Sequence, residues 1–542
     1  MFSKVFDFFD DIVLELGRNF RWSYLPPLMV YFAAGVSGLT SIVGTFFIKE
    51  YLSLSAEFLA GLAFWAGLPW ALKMPIGHLV DIIWRWKSYL VFLGASLMAT
   101  SLIIMYMLIS QTEMMAMIMS IEAWYILSAL LSPIGYVLQD VVADAMTVEA
   151  VPAVDDNGNK FSDAIEKAMH TTMQTLGRVA IIGGVVCVSA INVYVFDDID
   201  TLDEIEKVGI YASIYLGALA VPLISISGVI LGGILLRQKA KKLAIKGVPS
   251  DVISDMLFKP EAQTKPNWMI FGGSFAFVLF TLFVGLNDVP AAQEMTFFVS
   301  ISIILFLMTR LLKELEPSQA KMLIGTAIII FIYRATPSSG AGSTWFEIDV
   351  LGFDQQFLSV LSFLTYGLTL AGLVVLRPII VKRSIAEILV MLSIIGGIVS
   401  LPNIGLYYGI QEWTSALTNG VVDARFIAIF DTALESPLGQ IAMIPMLAWI
   451  ARNAPVHLKA TFFAVMASFT NLALSASNLM TKYMNQIYTV TREVKDRATG
   501  EITIQADYSE LGMLLITVAV IIVVVPVFAV MVIQATPLRT TQ

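Results

Sequence analysis

Two aspartates, Asp140 and Asp144, stand one helical turn apart in an otherwise apolar stretch. They continue a row of Ser128, Ser132 and Tyr136 at four-residue spacing, so all five share one helical face. Two carboxylates so close in a low-dielectric setting resist ionising together, and one of them can hold and release a proton near neutral pH. A carboxylate can also accept two hydrogen bonds from an amino-pyrimidine edge. The plainer alternative is structural: either aspartate can pair with Arg85, Lys87 or Arg178 and hold a gate shut. Ionisable groups inside a membrane segment are expensive enough to point to function.

Further candidates follow the same logic. His170, Gln174 and Arg178 recur at i, i+4 and i+8, with Arg178 an expected partner for an acid of the Asp140 segment. Lys73 is a lone cation in an apolar run and should face protein or water rather than lipid. Arg334 precedes Pro337 by three residues, and that proline should loosen the helix there. Its guanidinium can grip a carboxylate with two hydrogen bonds, or pair internally with Asp431 or Glu435. Gln440 can donate and accept. Asn471, Ser475, Asn478 and Lys482 form a polar stripe that suits either a cavity wall or hydrogen bonding between helices. Trp65, Trp70 and Tyr136 can stack on a flat ring or simply pack. Gly183 and Gly184 suit close helix packing.

The elements that must position these groups are membrane spans. Of 542 residues, 57% are hydrophobic and only 14% charged, far from the balance of a soluble domain. A span needs about 20 mainly apolar residues, and fourteen stretches qualify. They run near 26–47, 57–80, 88–110, 115–147, 164–194, 208–236, 268–287, 292–312, 319–341, 356–379, 384–409, 422–450, 458–487 and 511–534, and the long fourth and twelfth have room for a break. Residues 1–25 read as an amphipathic surface helix. Lys and Arg gather before the first span, after the second (Arg85, Lys87), in the basic linker from Arg237, and after the tenth and twelfth. The positive-inside rule then puts both termini in the cytoplasm, with the plasma (inner) membrane the expected home.

One cysteine, Cys187, excludes an internal disulfide and a cysteine metal cluster. No Gly-x-x-x-x-Gly-Lys phosphate loop is present, so an ATP-driven pump is not expected, and no soluble segment is long enough for a catalytic domain, so neither is an enzyme; no cofactor, metal or nucleic-acid partner is expected. The net charge of -9 does not bear on orientation.

An internal repeat divides the chain. Phe47 to Leu59 parallels Phe346 to Leu358, each between the first and second spans of a six-span block. Two parallel blocks predict an all-α fold of two six-helix bundles, with any solute held between them near the midplane. The expected boundaries are 26–236 and 319–535 for the bundles, 237–267 for a basic linker, 268–318 for two inserted helices, and 536–542 for a tail. Arg334 aligns with Gly35, near mid-span.

Four segments carry a resemblance to a known family. Gly77, Asp81 and Arg85, with Lys87 beyond, look like the gate loop between the second and third helices of major facilitator carriers. Leu68-Pro69-Trp70-Ala71-Leu72-Lys73 before that loop, and Gln139 to Glu149, resemble the folate–biopterin transporter family, although muropeptide permeases carry similar runs. Phe331 to Ser339 with Glu347 to Leu358, and Gly439 to Pro445 with Ala451-Arg452, Pro455 and Lys459 to Leu472, resemble that family more specifically. Lys459 departs from the acidic residue expected there, and loops 410–425 and 485–510 match nothing in the pattern. The resemblance implies a major facilitator fold and uptake of folates or pterins across the bilayer, and the Asp140–Asp144 pair predicts that protons drive it. The alternatives are a permease for muropeptides, amino acids or another organic solute, and, from another class, a non-transporting receptor or scaffold. Polar residues on matching helices of both blocks argue against the last.

Overall fold

The computed structural model describes residues 20–52, 54–71, 73–151, 161–197, 199, 202–258, 268–287, 289–313, 315–375, 383–435, 459–495 and 502–540. The N-terminal surface helix and the Gly439–Pro455 run expected above lie outside them. Helices dominate. The first bundle holds α1 (Leu25–Val36), α2 (Ser41–Tyr51), α3 (Ala56–Ala71), α4 (Lys73–Ile82), α5 (Ser88–Ser110), a short α6 (Thr112–Ala116), α7 (Ile121–Ala150), α8 (Asp163–Val195), α9 (Glu204–Gly217) and α10 (Ala220–Ile245). After α11 (Ser250–Phe258) come the inserted α12 (Trp268–Leu286) and α13 (Ala292–Leu312). The second bundle has α14 (Pro317–Arg334), α15 (Ala341–Asp349), α16 (Gln355–Val375), α17 (Ile385–Tyr407), α18 (Ile410–Leu417), α19 (Ala424–Glu435), α20 (Lys459–Ile487) and α21 (Leu511–Gln534). A hairpin of β1 (Val494–Lys495) and β2 (Ile502–Ile504) joins α20 to α21. Among the described residues, eight segments are long and apolar enough to cross a membrane.

Interruptions recur at matching places. Between α1 and α2 the chain tightens into a 3-10 turn, Ser37–Thr40. Ser37 Oγ donates to the Ala34 carbonyl (2.6 Å) and Ser41 Oγ to that of Gly38 (2.7 Å), so hydroxyls compete with the helix ladder. The second bundle breaks at the equivalent place, between α14 and α15, where Pro337 removes a donor and Gly340 takes a φ of 74°. Side chains of α20 satisfy the freed groups: Ser477 Oγ donates to the Thr336 carbonyl (2.6 Å), and the Ser338 amide donates to Thr481 Oγ1 (3.0 Å).

Several expected elements differ. Span one is not a single helix, and the stretch from Ser338, expected as loop, contains α15. Span six splits into α9 and α10 because the ring of Pro222 clashes with the carbonyl four residues back. Span four shows no break: α7 is continuous through Pro133, and α6 is a separate turn before it. A close crossing with α5 supports it, since a Cβ on Gly94 would lie 2.5 Å from the Gly135 carbonyl oxygen. Ser101 and Ser128 also exchange hydrogen bonds there (2.8 and 3.0 Å). Within the first bundle, α1 meets α8 with Gly35 against Gly184, a contact that only glycine permits. The two bundles join along two seams, α3 with α20 and α8 with α16. Both described chain ends lie at one end of the bundle, and α2 and α15 finish at the other, far end.

Candidate functional site

The aspartates of α7 meet a cation, and it is Lys73. At the first residue of α4, its Nζ lies 2.5 Å from Asp140 Oδ2 and 2.7 Å from Asp144 Oδ2. The four-residue spacing stacks the two carboxylates so that one ammonium serves both. Tyr31 of α1, nearly buried, donates its hydroxyl to Asp144 Oδ1 at 2.6 Å. Gly177 lets α8 sit against that ring, a Cβ there meeting Tyr31 Cε2 at 3.0 Å. Four helices thus converge on one cluster. Exposure within it is uneven: 18% for the Asp140 side chain, 47% for Asp144 and 23% for Lys73. Asp144 is the most exposed member.

The expected partners are therefore corrected. Arg85 is exposed on the turn after α4. Lys87 is buried, pairs with Glu149 and lies 3.8 Å from the centroid of the Trp84 ring. Arg178 is exposed and makes no ion pair with either aspartate, although its charge reaches Asp140 and Tyr31. The reason is reach. Gly77 brings α4 close to Val141 of α7 (3.9 Å for a built Cβ), which sets Lys73 level with Asp140, while Lys87 lies past the turn, level with the end of α7. The side chains of Asp81, His170, Gln174 and Glu435, and the whole of Gln440, lie outside the described residues.

The polar stripe on α20 runs along the seam with α3. Asn471 Nδ2 donates to the Trp70 carbonyl at 3.3 Å, and Gly67 faces Ser475 and Asn478. Lys482 instead turns to the inserted helices and pairs with Glu294 of α13 at 3.2 Å, where Tyr483 also donates to that carboxylate. In the second bundle, Arg334 ends α14 at the helix break and is half-buried. Asp431 of α19 is half-buried and acts by charge on Glu347 of α15.

At the far end the bundles are tied together. Lys49 of α2 pairs with Asp349 of α15. Gln355 Nε2 donates to the Tyr211 hydroxyl (2.6 Å), Gln356 Nε2 to Asp197 (2.7 Å) and Gln486 Nε2 to Glu57 (2.5 Å). Arg492, from the β-hairpin, reaches two backbone carbonyls of the first bundle. Sequence reasoning missed Tyr31, Glu294 and Arg492. Only Glu294, an acid just inside an apolar span, carried a usable signal. Among the described residues no group of three His, Cys, Asp or Glu side chains is placed to hold a metal ion.

The comparisons with known proteins agree with this architecture. The BT1 family model matches residues 207–540, more than half of the chain. A folate-biopterin transporter from Synechocystis sp. is 22% identical over 462 residues, covering 84% of this chain and 74% of that protein. Among solved structures, a peptide transporter of the POT type in complex with sulfate superposes with a TM-score of 0.60 at 12% identity, over 96% of each chain. A POT family transporter in complex with 5-aminolevulinic acid gives 0.59 at 13% identity, over 94% of this chain and 96% of that one. A nucleoside transporter gives 0.54 at 11% identity, over 94% and 98%. These structures share the two-bundle fold of major facilitator carriers. The chain is an integral membrane protein and not an enzyme, and it belongs to the BT1 family of transporters.

Proposed function

We propose that this transporter takes up folates or pterin-type solutes by alternating access, driven by protons. The observation that carries the coupling is the single ammonium of Lys73 shared by Asp140 and Asp144. One cation cannot neutralise two carboxylates, so the cluster has room for one proton. One of the two aspartates takes it while Lys73 keeps the other. Proton release leaves Lys73 bridging both carboxylates and draws α4 against α7. Tyr31 holds Asp144 in place throughout.

Arg334 serves as the anion partner for a substrate carboxylate at the break before α15, with Asp431 and Gln440 on the facing half of the site. Gly77, Asp81, Arg85 and Lys87 form the gate at the chain-terminus end, and Asn471 fastens α20 to α3 at Trp70. The distribution of Lys and Arg supports a cytoplasmic location for that end and for both termini in a plasma membrane. The far end is then outside, and its ties describe a carrier closed to the exterior. The bundle boundaries follow as 26–236 and 319–535, with 268–318 inserted between them.

The similarity to a folate-biopterin transporter supports the substrate class. Vesicle uptake of labelled folate, pterin, muropeptide and amino acid, with and without an inward proton gradient, tests it. Folate or pterin uptake that collapses with a protonophore is the expected result. Uptake of folate indifferent to the gradient overturns the coupling, and uptake confined to muropeptide or amino acid overturns the substrate.

A further inference from the structure

We propose that the hairpin between α20 and α21 is a latch on the outer gate, with Arg492 as its bolt, and that withdrawing Arg492 is a required step in opening the far end. The inference rests on the alternating-access reading above, but not on the identity of the solute.

Arg492 belongs to the second bundle by chain connection, yet both of its side-chain hydrogen bonds go to the first. Nε donates to the Lys49 carbonyl at 2.8 Å and Nη1 to the Leu54 carbonyl at 2.6 Å. Lys49 lies in the last turn of α2, where carbonyls have no partner within the helix and the dipole favours a cation. The guanidinium also lies 4.5 Å from the centroid of the Trp345 ring, itself buried. Arg492 is only 3% exposed. A guanidinium is sealed in this way only while the bundles are together.

The base of the hairpin is bound to its own bundle. Thr491 and Asp507 exchange backbone hydrogen bonds at 3.0 Å, Tyr508 donates to Asp349 at 2.5 Å, and the Tyr407 hydroxyl donates to the Tyr508 carbonyl at 3.0 Å. When the bundles separate, the hairpin must travel with the second and pull Arg492 out of the first. The grip is incomplete, because Nη2 is buried without a hydrogen-bond partner among the described residues. Burial pulls the Arg492 guanidinium down to about 10, still charged at neutral pH. Water would complete that set of donors on opening, so the device is reversible rather than a permanent staple.

Spin labels at Met117→Cys and Leu417→Cys, both exposed at the far end of opposite bundles, report the opening in a Cys187→Ser background. The wild-type chain should give one dominant short distance. Arg492→Ala should add a longer-distance population at least several-fold above the wild-type level, and Arg492→Gln, which keeps a planar donor, should fall between. Unchanged distances in both variants, with wild-type circular dichroism and elution, overturn the latch. Should Arg492→Ala fail to fold, Arg492→Gln decides alone. The distances need no solute. A shift without folate uptake overturns the substrate reading only, and folate uptake with unmoved distances overturns the latch only.

Discussion

Replacing Lys73 by methionine keeps the length and apolar stem of the side chain and removes only the charge and its donors. Asp140 then keeps its oxygens in a site with 18% side-chain exposure and no cation at 2.5 Å. Breaking a buried pair from one side costs about 3–5 kcal/mol. Because Lys73 and Asp140 retain 23% and 18% exposure, the lower end, about 3 kcal/mol, is the expected loss. Asp144 adds little, being 47% exposed and still held by Tyr31. Lys73→Met combined with Asp140→Asn removes the orphaned charge and should recover about 2 kcal/mol of that loss. Chemical unfolding in mixed micelles measures both. If Lys73→Met is as stable as wild type at pH 7.5, or if the double variant is no better than the single, the shared-ammonium account is wrong.

Other outcomes follow from the same geometry. Asp144→Asn should abolish accumulation against a gradient while exchange of solute across the vesicle membrane continues; accumulation at the wild-type level would leave the residue a purely structural role. Arg334→Lys should lower uptake of an anionic folate about tenfold, the loss of one hydrogen bond of a bidentate pair, and leave a neutral pterin less affected. Gly35→Ala drives a Cβ to 2.0 Å from the Ile181 carbonyl oxygen and should destabilise the first bundle by about 1–3 kcal/mol, read as a lower unfolding midpoint. Glu294→Gln removes the charge that Lys482 pairs with, and should release the inserted helices first in hydrogen exchange.

Hydropathy made the helical architecture legible, and the Phe47–Leu59 and Phe346–Leu358 repeat revealed its two-fold plan. The breaks after α1 and α14 fall at positions that this repeat aligns. The aspartates of α7 were also legible, since helical spacing is a local property. Their partner was not. Lys73 is 67 residues from Asp140 in the chain, and choosing it over Lys87 depends on how closely Gly77 lets α4 approach α7. The helix interruptions were half legible: Pro337 announced one, whereas Ser37 and Ser41 look like ordinary small residues of a span until their hydroxyls are seen on backbone carbonyls. Arg492 was invisible because a loop has no periodicity to show which way a side chain points.

The inserted helices touch both moving parts. Gln293 of α13 sits against Gly61 of α3 in the first bundle, Glu294 holds Lys482 and Tyr483 of α20 in the second, and Gly285 of α12 lies against Trp65. They therefore roof the seam between α3 and α20, which gives the carrier a sheltered flank and a bare one. Through Gln293 and Glu294 the same roof is fastened to both bundles, so the seam cannot open without disturbing it.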